Sequence, residues 1–475
     1  MAGPCPAIHI FGMTRVKPFR ALVLAMALPC AGVPVLATAS FARDTAIPAM
    51  DIPAAFDGDT ESAYTPLPAD GWWTIYQDPE LDRLIAQVHA TNTSIEQAAA
   101  RLAAAKAQAR IGDAAQLPQI ELNASASQAN GPLINEAGSN GGLVSAHATI
   151  SWEADLLGRL SSDRRADRFD AKAAEALLAD VRLLIETDAA KAYFEAVYLA
   201  KAITEAQRRA ALLDERLAIQ NRRFELGLID RPSLNDAQRA RDESQHLVEQ
   251  LVEARAGTAR RMAFLLGETR SHDMQTRDMP AAPLVPAGMP SNLLVRRSDV
   301  AAAIARLEAS ANRLQAEKNS WFPRFTLTAS GGAASPSLGQ ILSSTARDFG
   351  LSALLSLPIF DGGRRKAALA VRNAEQDLAA SEYRESVLRA LREVNDHLGA
   401  FQLGNSDLAL ANSRLASGSA DTEILIARQA NGTVARADVI NSQLRTCQFR
   451  LDELTAQHRQ LATSIDLIKA LGGSW

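Results

Sequence analysis

Aromatic residues are scarce in this sequence, at 5% of 475 residues, although 47% of the chain is hydrophobic. Alanine carries the balance, so a large core built on aromatic anchors is excluded. Cysteine is scarcer still, with three, of which Cys5 and Cys30 lie near the start and Cys447 stands alone. Basic charge is not in excess: the net charge is −4 and the pI about 6.1, leaving no footprint for nucleic acid. Long apolar runs are missing apart from one near the N-terminus, and a mean hydropathy of −0.08 excludes a helix-bundle membrane protein. Moderate charge and ordinary apolar content exclude disorder. Enzyme signatures are missing too. His9, His89, His147, His246, His272, His397 and His458 are scattered without metal-ligand spacing. There is no phosphate-binding glycine loop, no Gly-x-Ser-x-Gly elbow and no catalytic-cysteine context, so neither catalysis nor a cofactor is expected.

What is present begins with a leader. Arg15, Lys17 and Arg20 precede the apolar stretch Ala21–Leu36, and small residues follow at Ala37-Thr38-Ala39 and Ser40-Phe41-Ala42. That apolar stretch falls short of the roughly 20 residues a spanning helix needs, so residues 1–42 read as a secretory signal cut near Ala39 or Ala42. Lipidation at Cys30 is the alternative, against which stands Pro29 immediately before it in a poor lipobox. With the leader removed, Cys447 has no disulfide partner in its own chain.

Length alone suggests about three domains of roughly 150 residues. An internal repeat replaces that estimate. Leu117-Pro118-Gln119-Ile120-Glu121-Leu122-Asn123-Ala124-Ser125 resembles Phe322-Pro323-Arg324-Phe325-Thr326-Leu327-Thr328-Ala329-Ser330, 205 residues later. The same offset relates Gly158-Arg159 to Gly363-Arg364, Gly227 to Gly432, Arg231 to Arg436, and Leu266-Gly267 to Leu471-Gly472. Five anchors at one offset identify two copies of one unit.

Each copy carries the same local signals. Ile120, Leu122, Ala124 and Ala126 alternate with Glu121, Asn123, Ser125 and Ser127, as in a strand with one apolar and one polar face. Val144, Ala146, Ala148, Ile150 and Trp152 alternate likewise, in phase with Phe349, Leu351, Ala353, Leu355 and Leu357 of the second copy. Asn130–Gly142 and Gly331–Thr345, rich in Gly and Ser, read as hairpin loops. No proline interrupts Leu160–Asp230 or the chain from Arg364 onward, so long helices follow each strand pair. A helix over Leu160–Leu226 extends about 100 Å at 1.5 Å per residue. Val387, Leu391, Val394, Leu398 and Phe401 follow coiled-coil spacing. Gly227 and Gly432 then turn each long helix into a returning one.

Four such strands cannot close a barrel, and open edges are not tolerated in lipid. Twelve strands from three chains close one, so the expected fold is an α+β membrane protein. Each chain contributes four β-strands to a trimeric 12-stranded β-barrel, continued by an α-helical coiled-coil cylinder built from two tandem repeats.

The motifs across the chain are similar to those of the TolC-like outer membrane factor family, in its efflux-type branch. They are Gly71-Trp72-Trp73-Thr74-Ile75-Tyr76-Gln77-Asp78-Pro79-Glu80-Leu81 before the first helix, and Ser151-Trp152-Glu153-Ala154-Asp155-Leu156-Leu157-Gly158-Arg159 with its counterpart Leu357-Pro358-Ile359-Phe360-Asp361-Gly362-Gly363-Arg364. The ending Ala470-Leu471-Gly472-Gly473-Ser474-Trp475 fits as well, and Arg296-Arg297-Ser298-Asp299-Val300 matches an Arg-Pro-Asp segment with Ser298 in place of proline. The resemblance implies the exit duct of a tripartite efflux system in the Gram-negative outer membrane, with its helical part in the periplasm. It also implies a homotrimer, a periplasmic adaptor (membrane fusion) protein as partner, an inner-membrane pump engaged indirectly, and outer membrane lipid around the barrel. A type I protein-secretion duct and a structural periplasmic coiled-coil scaffold are the alternatives.

By resemblance, Gly227 and Gly432 lie where the adaptor docks on the periplasmic tips, while the turn chemistry of glycine by itself explains both. Asp438 falls where the family places an acidic constriction ring, and Asn441 stands where a second acid is often found. The plain alternative for Asp438 is a surface acid paired with Arg436. Trp152, Phe325 and Phe349, near strand ends, suit an interfacial aromatic girdle. No metal site is expected. The scheme has a signal peptide at 1–42, an extended segment at 43–78, a first repeat at 79–267, a Pro-rich linker at 268–290 and a second repeat at 291–475. Their β-hairpins are expected near 118–156 and 323–359, and their helical turns near 227–232 and 432–437.

Overall fold

A computed structural model describes residues 50–53, 56, 71–129, 141–274, 277–283, 285 and 296–473, all within the unit Thr45–Trp475. The leader at 1–42 with Cys30, most of the first hairpin loop, part of the Pro-rich linker and the final Ser474-Trp475 lie outside the described residues.

A short 3-10 turn at Trp72–Tyr76 leads into α1 (Pro79–Thr91) and α2 (Thr93–Ala114). Strands β1 (Gln119–Ala129) and β2 (Gly141–Ala154) come next, then α3 (Arg159–Glu225) and α4 (Arg231–Leu265). The second copy follows as α5 (Ser298–Asn319), β3 (Arg324–Ser335), β4 (Arg347–Ser356), α6 (Arg364–Ala430) and α7 (Arg436–Ala470). From α2 onward every start in the second copy falls 205 residues after its counterpart, within one residue. The long helices α3 and α6 have 67 residues each, and the returning helices α4 and α7 have 35.

Local chemistry explains the boundaries. Asp78 caps α1 by accepting from the Glu80 and Leu81 amides, Pro79 opens the helix, and Leu81, Leu84, Ile85 and Val88 bury one face. Asp155 accepts from the Leu160 and Ser161 amides at 3.0 and 2.7 Å, tying the end of β2 to the start of α3. At the far ends of α3 and α6 the chain reverses through Gly227 (φ 70°) and Gly432 (φ 72°). Both are Schellman turns: Leu228 N–H donates to Arg223 O at 2.8 Å, and Thr433 N–H to Arg428 O at 3.0 Å. No atom lies within 4 Å of a Cβ added at either glycine, so only the left-handed backbone selects glycine there. Gly227→Ala and Gly432→Ala are each expected to lower stability by about 1 kcal/mol, with Asn costing less. Denaturant midpoints of the solubilised protein check this, and midpoints equal to wild type would contradict it.

The sheet is antiparallel, in the order β1-β2-β3-β4. Its registers set the alternation seen in each strand onto common faces. Leu122 lies opposite Ala148, Ala148 opposite Gly331, and Gly331 opposite Phe349. Ile120, Ile150, Ala329 and Leu351 form the next apolar row by the same pairings. Asn123, His147, Gly332 and Asp348 share a row on the opposite face, beside Thr328 and Ser352. Leu354, opposite Thr326, and Leu143, opposite Ser127, are large apolar exceptions there.

One expectation is corrected. Gly331–Thr345 is not all loop, because β3 continues through Ser335 and β4 begins at Arg347. Glycine inside this strand serves a close approach: a Cβ at Gly332 would stand 2.2 Å from the Ala146 carbonyl oxygen and 2.7 Å from His147 Cδ2. The vacant position lets His147 Nε2 reach across β3 to within 3.0 Å of Asp348 Oδ1.

The main core is a waist partway along the helices, well away from the sheet. The 3-10 turn and α1 pack there against α3 and the C-terminal ends of α4 and α7, through Trp72, Tyr76, Tyr193, Phe194, Leu266 and Ile468. Tyr76 and Phe194 ring centroids are 5.0 Å apart, and Tyr193 and Phe194 5.3 Å. A cluster of aromatics thus fills the waist, while elsewhere α3 buries alanines such as Ala166, Ala173, Ala202 and Ala206. The seam read from spacing is buried at Val387, Val394, Leu398 and Phe401.

Candidate functional site

Two surfaces carry the functional geometry: the two-faced sheet, and the helical end some 100 Å away at the helical rise. The strands have 11, 14, 12 and 10 residues, each long enough for the roughly 9–11 residues of a tilted membrane strand. Their apolar face is uncovered, with Phe349 94% and Leu351 83% exposed. Large apolar side chains in such rows lie bare only when another apolar phase meets them. Among the described residues no helix is long and apolar enough to cross a membrane.

Trp152, Phe325 and Phe349 all lie on this apolar face by register. Trp152 and Phe325 stand at the end nearest the helices, and Phe349 toward the other. The Trp152 indole N–H donates to the Gln116 carbonyl at 2.9 Å, fixing its ring at the foot of the sheet. Trp321 lies beside them, its ring 5.0 Å below the Arg365 guanidinium.

At the other end, Gly227 and Gly432 are the exposed apices of the α3–α4 and α6–α7 hairpins. Their flanks differ: the first carries exposed Leu226 and Leu228, the second Asn431 and Thr433. Asp438 occupies the first turn of α7, exposed, with no ion pair to its carboxylate among the described residues. Asn441 follows one turn later, half-buried. The pairing of Asp438 with Arg436 is not found. Arg436 instead forms a two-pronged pair with Glu215 of α3, Nε to Oε1 and Nη2 to Oε2 both 2.6 Å. Positions two apart on a helix point in different directions, which leaves Arg436 free to tie the two hairpins and Asp438 free to face outward. The hydrogen bond from Arg436 holds the Glu215 carboxyl below its usual range.

Sequence patterns did not single out several groups near this end. Buried Thr422 on α6 meets Ser442 and Thr446 of α7 at 2.8 and 2.9 Å, a polar seam between two helices. Beside it Gly418 receives Phe449: an added Cβ would lie 2.6 Å from the ring. A glycine inside an uninterrupted helical stretch was the available signal for that contact. Cys447, also on α7, is buried, and burial pushes its thiol up to about 12, which removes it from thiolate chemistry at neutral pH.

At the waist, Trp72, Trp73 and Tyr76 anchor the N-terminal segment. Trp72 Nε1 donates to Glu186 at 2.9 Å, and the other oxygen of Glu186 lies 2.7 Å from His89 Nε2. Tyr76 meets Ser464 of α7 at 2.9 Å. Arg297, 7% exposed, binds Asp299 through two bonds of 2.9 and 2.8 Å, Glu393 of α6 at 2.8 Å and the Ala470 carbonyl of α7 at 2.8 Å. Ser298 takes the first helical position, where proline is also suited, so its replacement of proline leaves α5 intact.

The geometry is matched by comparison with known proteins. The family described as "Outer membrane efflux protein" matches residues 84–268 and again 289–473, so its two matches repeat the 205-residue offset. The chain is 28% identical over 424 residues to outer membrane protein OprJ of Pseudomonas aeruginosa, covering 85% of this chain and 86% of that protein. It is 26% identical over 442 residues to the pyoverdine export outer membrane protein OpmQ of Pseudomonas putida, covering 89% and 92%. Among solved structures, the outer-membrane channel OprN superposes with a TM-score of 0.80 at 25% identity, covering 91% of this chain and 99% of that one. The sheet is thus the outer membrane part of a channel, the helices its periplasmic part, and the chain belongs to the outer membrane efflux protein family.

Proposed function

We propose that three copies of this chain form a passive duct through which small molecules, delivered by an inner-membrane pump and a periplasmic adaptor, leave the cell. The observation that carries this reading is the sheet. It has an exposed apolar face, a polar face and two edges, β1 and β4, unpaired among the described residues, and it continues directly into helices of 67 residues. Further copies pair those edges, the polar faces line a water-filled lumen, and the helices extend it through the periplasm. The signal at 1–42 directs export. Energy comes from the pump.

The tips at Gly227 and Gly432 are the adaptor's docking points in this reading, the apolar pair Leu226 and Leu228 marking the first tip as distinct from the second. Asp438 narrows the entrance: three exposed carboxylates around the axis attract cations and repel one another, and Asn441 adds no second ring of charge. Trp152, Phe325 and Phe349 mark the two lipid interfaces. In planar bilayers, the purified trimer is expected to open pores, and Asp438→Ala to change single-channel conductance or block by divalent cations. Wild-type protein that neither trimerises nor conducts refutes the duct, whereas unchanged traces in Asp438→Ala refute the entrance ring alone.

A further inference from the structure

At the foot of the sheet, the start of β3 and the first turns of α3 and α6 meet the end of α5 around a cavity of about 360 Å³. Six arginines line it, Arg159, Arg313, Arg324, Arg364, Arg365 and Arg372, against two acids, Asp163 and Glu317. Four of the six have partners: Arg159 binds Glu153 at 2.8 Å and Asp163 at 3.6 Å, Arg313 binds Asp170, Arg365 binds Asp361 at 2.7 Å, and Arg372 binds Glu375 at 2.8 Å. Arg324 and Arg364 have no ion pair or hydrogen bond from their guanidinium groups among the described residues, and Arg159 Nε is buried without a partner. Arg324 and Arg364, both exposed, are thus the two arginines of the cavity without a counter-charge among the described residues, and their planar forks match tetrahedral oxyanions.

Register places the cavity relative to the lumen. Arg324 lies opposite Ser356, two positions before Thr326, and Thr326 is opposite Glu153, the partner of Arg159. All belong to the polar face, so in a closed barrel the cavity opens toward the duct at its junction with the helical tube. We propose that this cavity binds a phosphate-type anion, with Arg324 and Arg364 as its free donors, and that three copies form a basic belt in the duct. The position inside the duct rests on the barrel reading of the sheet; the binding does not. A lumen-facing site takes this anion as a solute in transit; a bound lipid headgroup would instead place the cavity at the inner rim of the membrane.

Inorganic pyrophosphate is the probe. Isothermal titration on the detergent-solubilised protein is expected to detect binding that weakens about tenfold or more in Arg324→Gln/Arg364→Gln, from the loss of two charge-assisted contacts. The single variants serve if the double variant fails to fold. Pores in a neutral phosphatidylcholine bilayer should be blocked by pyrophosphate in wild type and released in the variant, which identifies a solute site. Retention of phosphatidylglycerol by the wild-type protein alone, read by native mass spectrometry, identifies a headgroup site instead. Binding without pore block or lipid retention removes the cavity from the duct while keeping the anion site. Equal affinity in wild type and variant, or no binding and no lipid retention, overturns the proposal.

Discussion

Arginine in place of Leu351 is expected to stop the protein from accumulating as a trimer in the outer membrane, while arginine at the adjacent Ser352 is expected to leave assembly intact. The two residues are neighbours near the middle of β4, opposite Ala329 and Thr328 respectively. Alternation sends them to opposite faces of one sheet. On the apolar face a guanidinium near the bilayer midplane costs about 2–4 kcal/mol per copy, and a trimer incurs it three times. On the polar face the same group meets water and alters conductance instead. Fractionated membranes and heat-unmodified gels measure the first effect, and bilayer recordings the second. Equal assembly of the two variants would mean that the apolar rows do not face lipid.

The second large effect is expected at Arg297. Arg297→Met should destabilise the protein by up to about 3 kcal/mol at neutral pH, because removing the buried guanidinium strands two half-buried carboxylates. Asp299 and Glu393 lose their counter-ion, and the Ala470 carbonyl loses a donor. Lysine should rescue only partly, since a single ammonium cannot reproduce the guanidinium fork. Burial by itself would raise the Asp299 carboxyl, but the Arg297 bonds outweigh it and hold that group below the usual carboxylate range. A depressed carboxyl stabilises the fold above its unfolded value, near 3.9, and the contribution fades as pH falls through the lower folded value. Nearby Asp180 on α3 is shifted the other way, raised by burial and by Asp299, and so opposes this at neutral pH. The stability gap between wild type and Arg297→Met is therefore expected to narrow below about pH 4. Denaturation of the solubilised protein across pH measures it, and a gap independent of pH would show that the Asp299 pair is not the source.

Local order was legible because its causes are local. Proline-free stretches of strong helix formers set α3 and α6 within a residue or two of their observed ends. Positive-φ turns require glycine, so Gly227 and Gly432 could be located with no knowledge of their surroundings. The loop after β3 was misjudged for a related reason. Gly331 and Gly332 look like turn residues by composition, but both lie within β3, and the missing side chain of Gly332 serves a cross-strand approach that only strand pairing reveals. The plain alternative for Asp438, a surface acid paired with Arg436, fails because Arg436 belongs to Glu215, 221 positions earlier in the chain.

By itself, the sequence determined the two copies of one unit, the alternating faces of four strands, the lengths of the helices and the positions of their turns. Each follows from periods of two or 3.6 residues, or from glycine and proline, and none needs a distant neighbour. The tertiary structure decided which distant polar groups meet: Trp72 and His89 on Glu186, Arg297 on Glu393 and the end of α7, Arg436 on Glu215, and the arginines around the cavity below the sheet. Those meetings depend on the rotational phase of each long helix against its neighbours, which no local period contains. The sheet's apolar face came from alternation; its common orientation across four strands came from register.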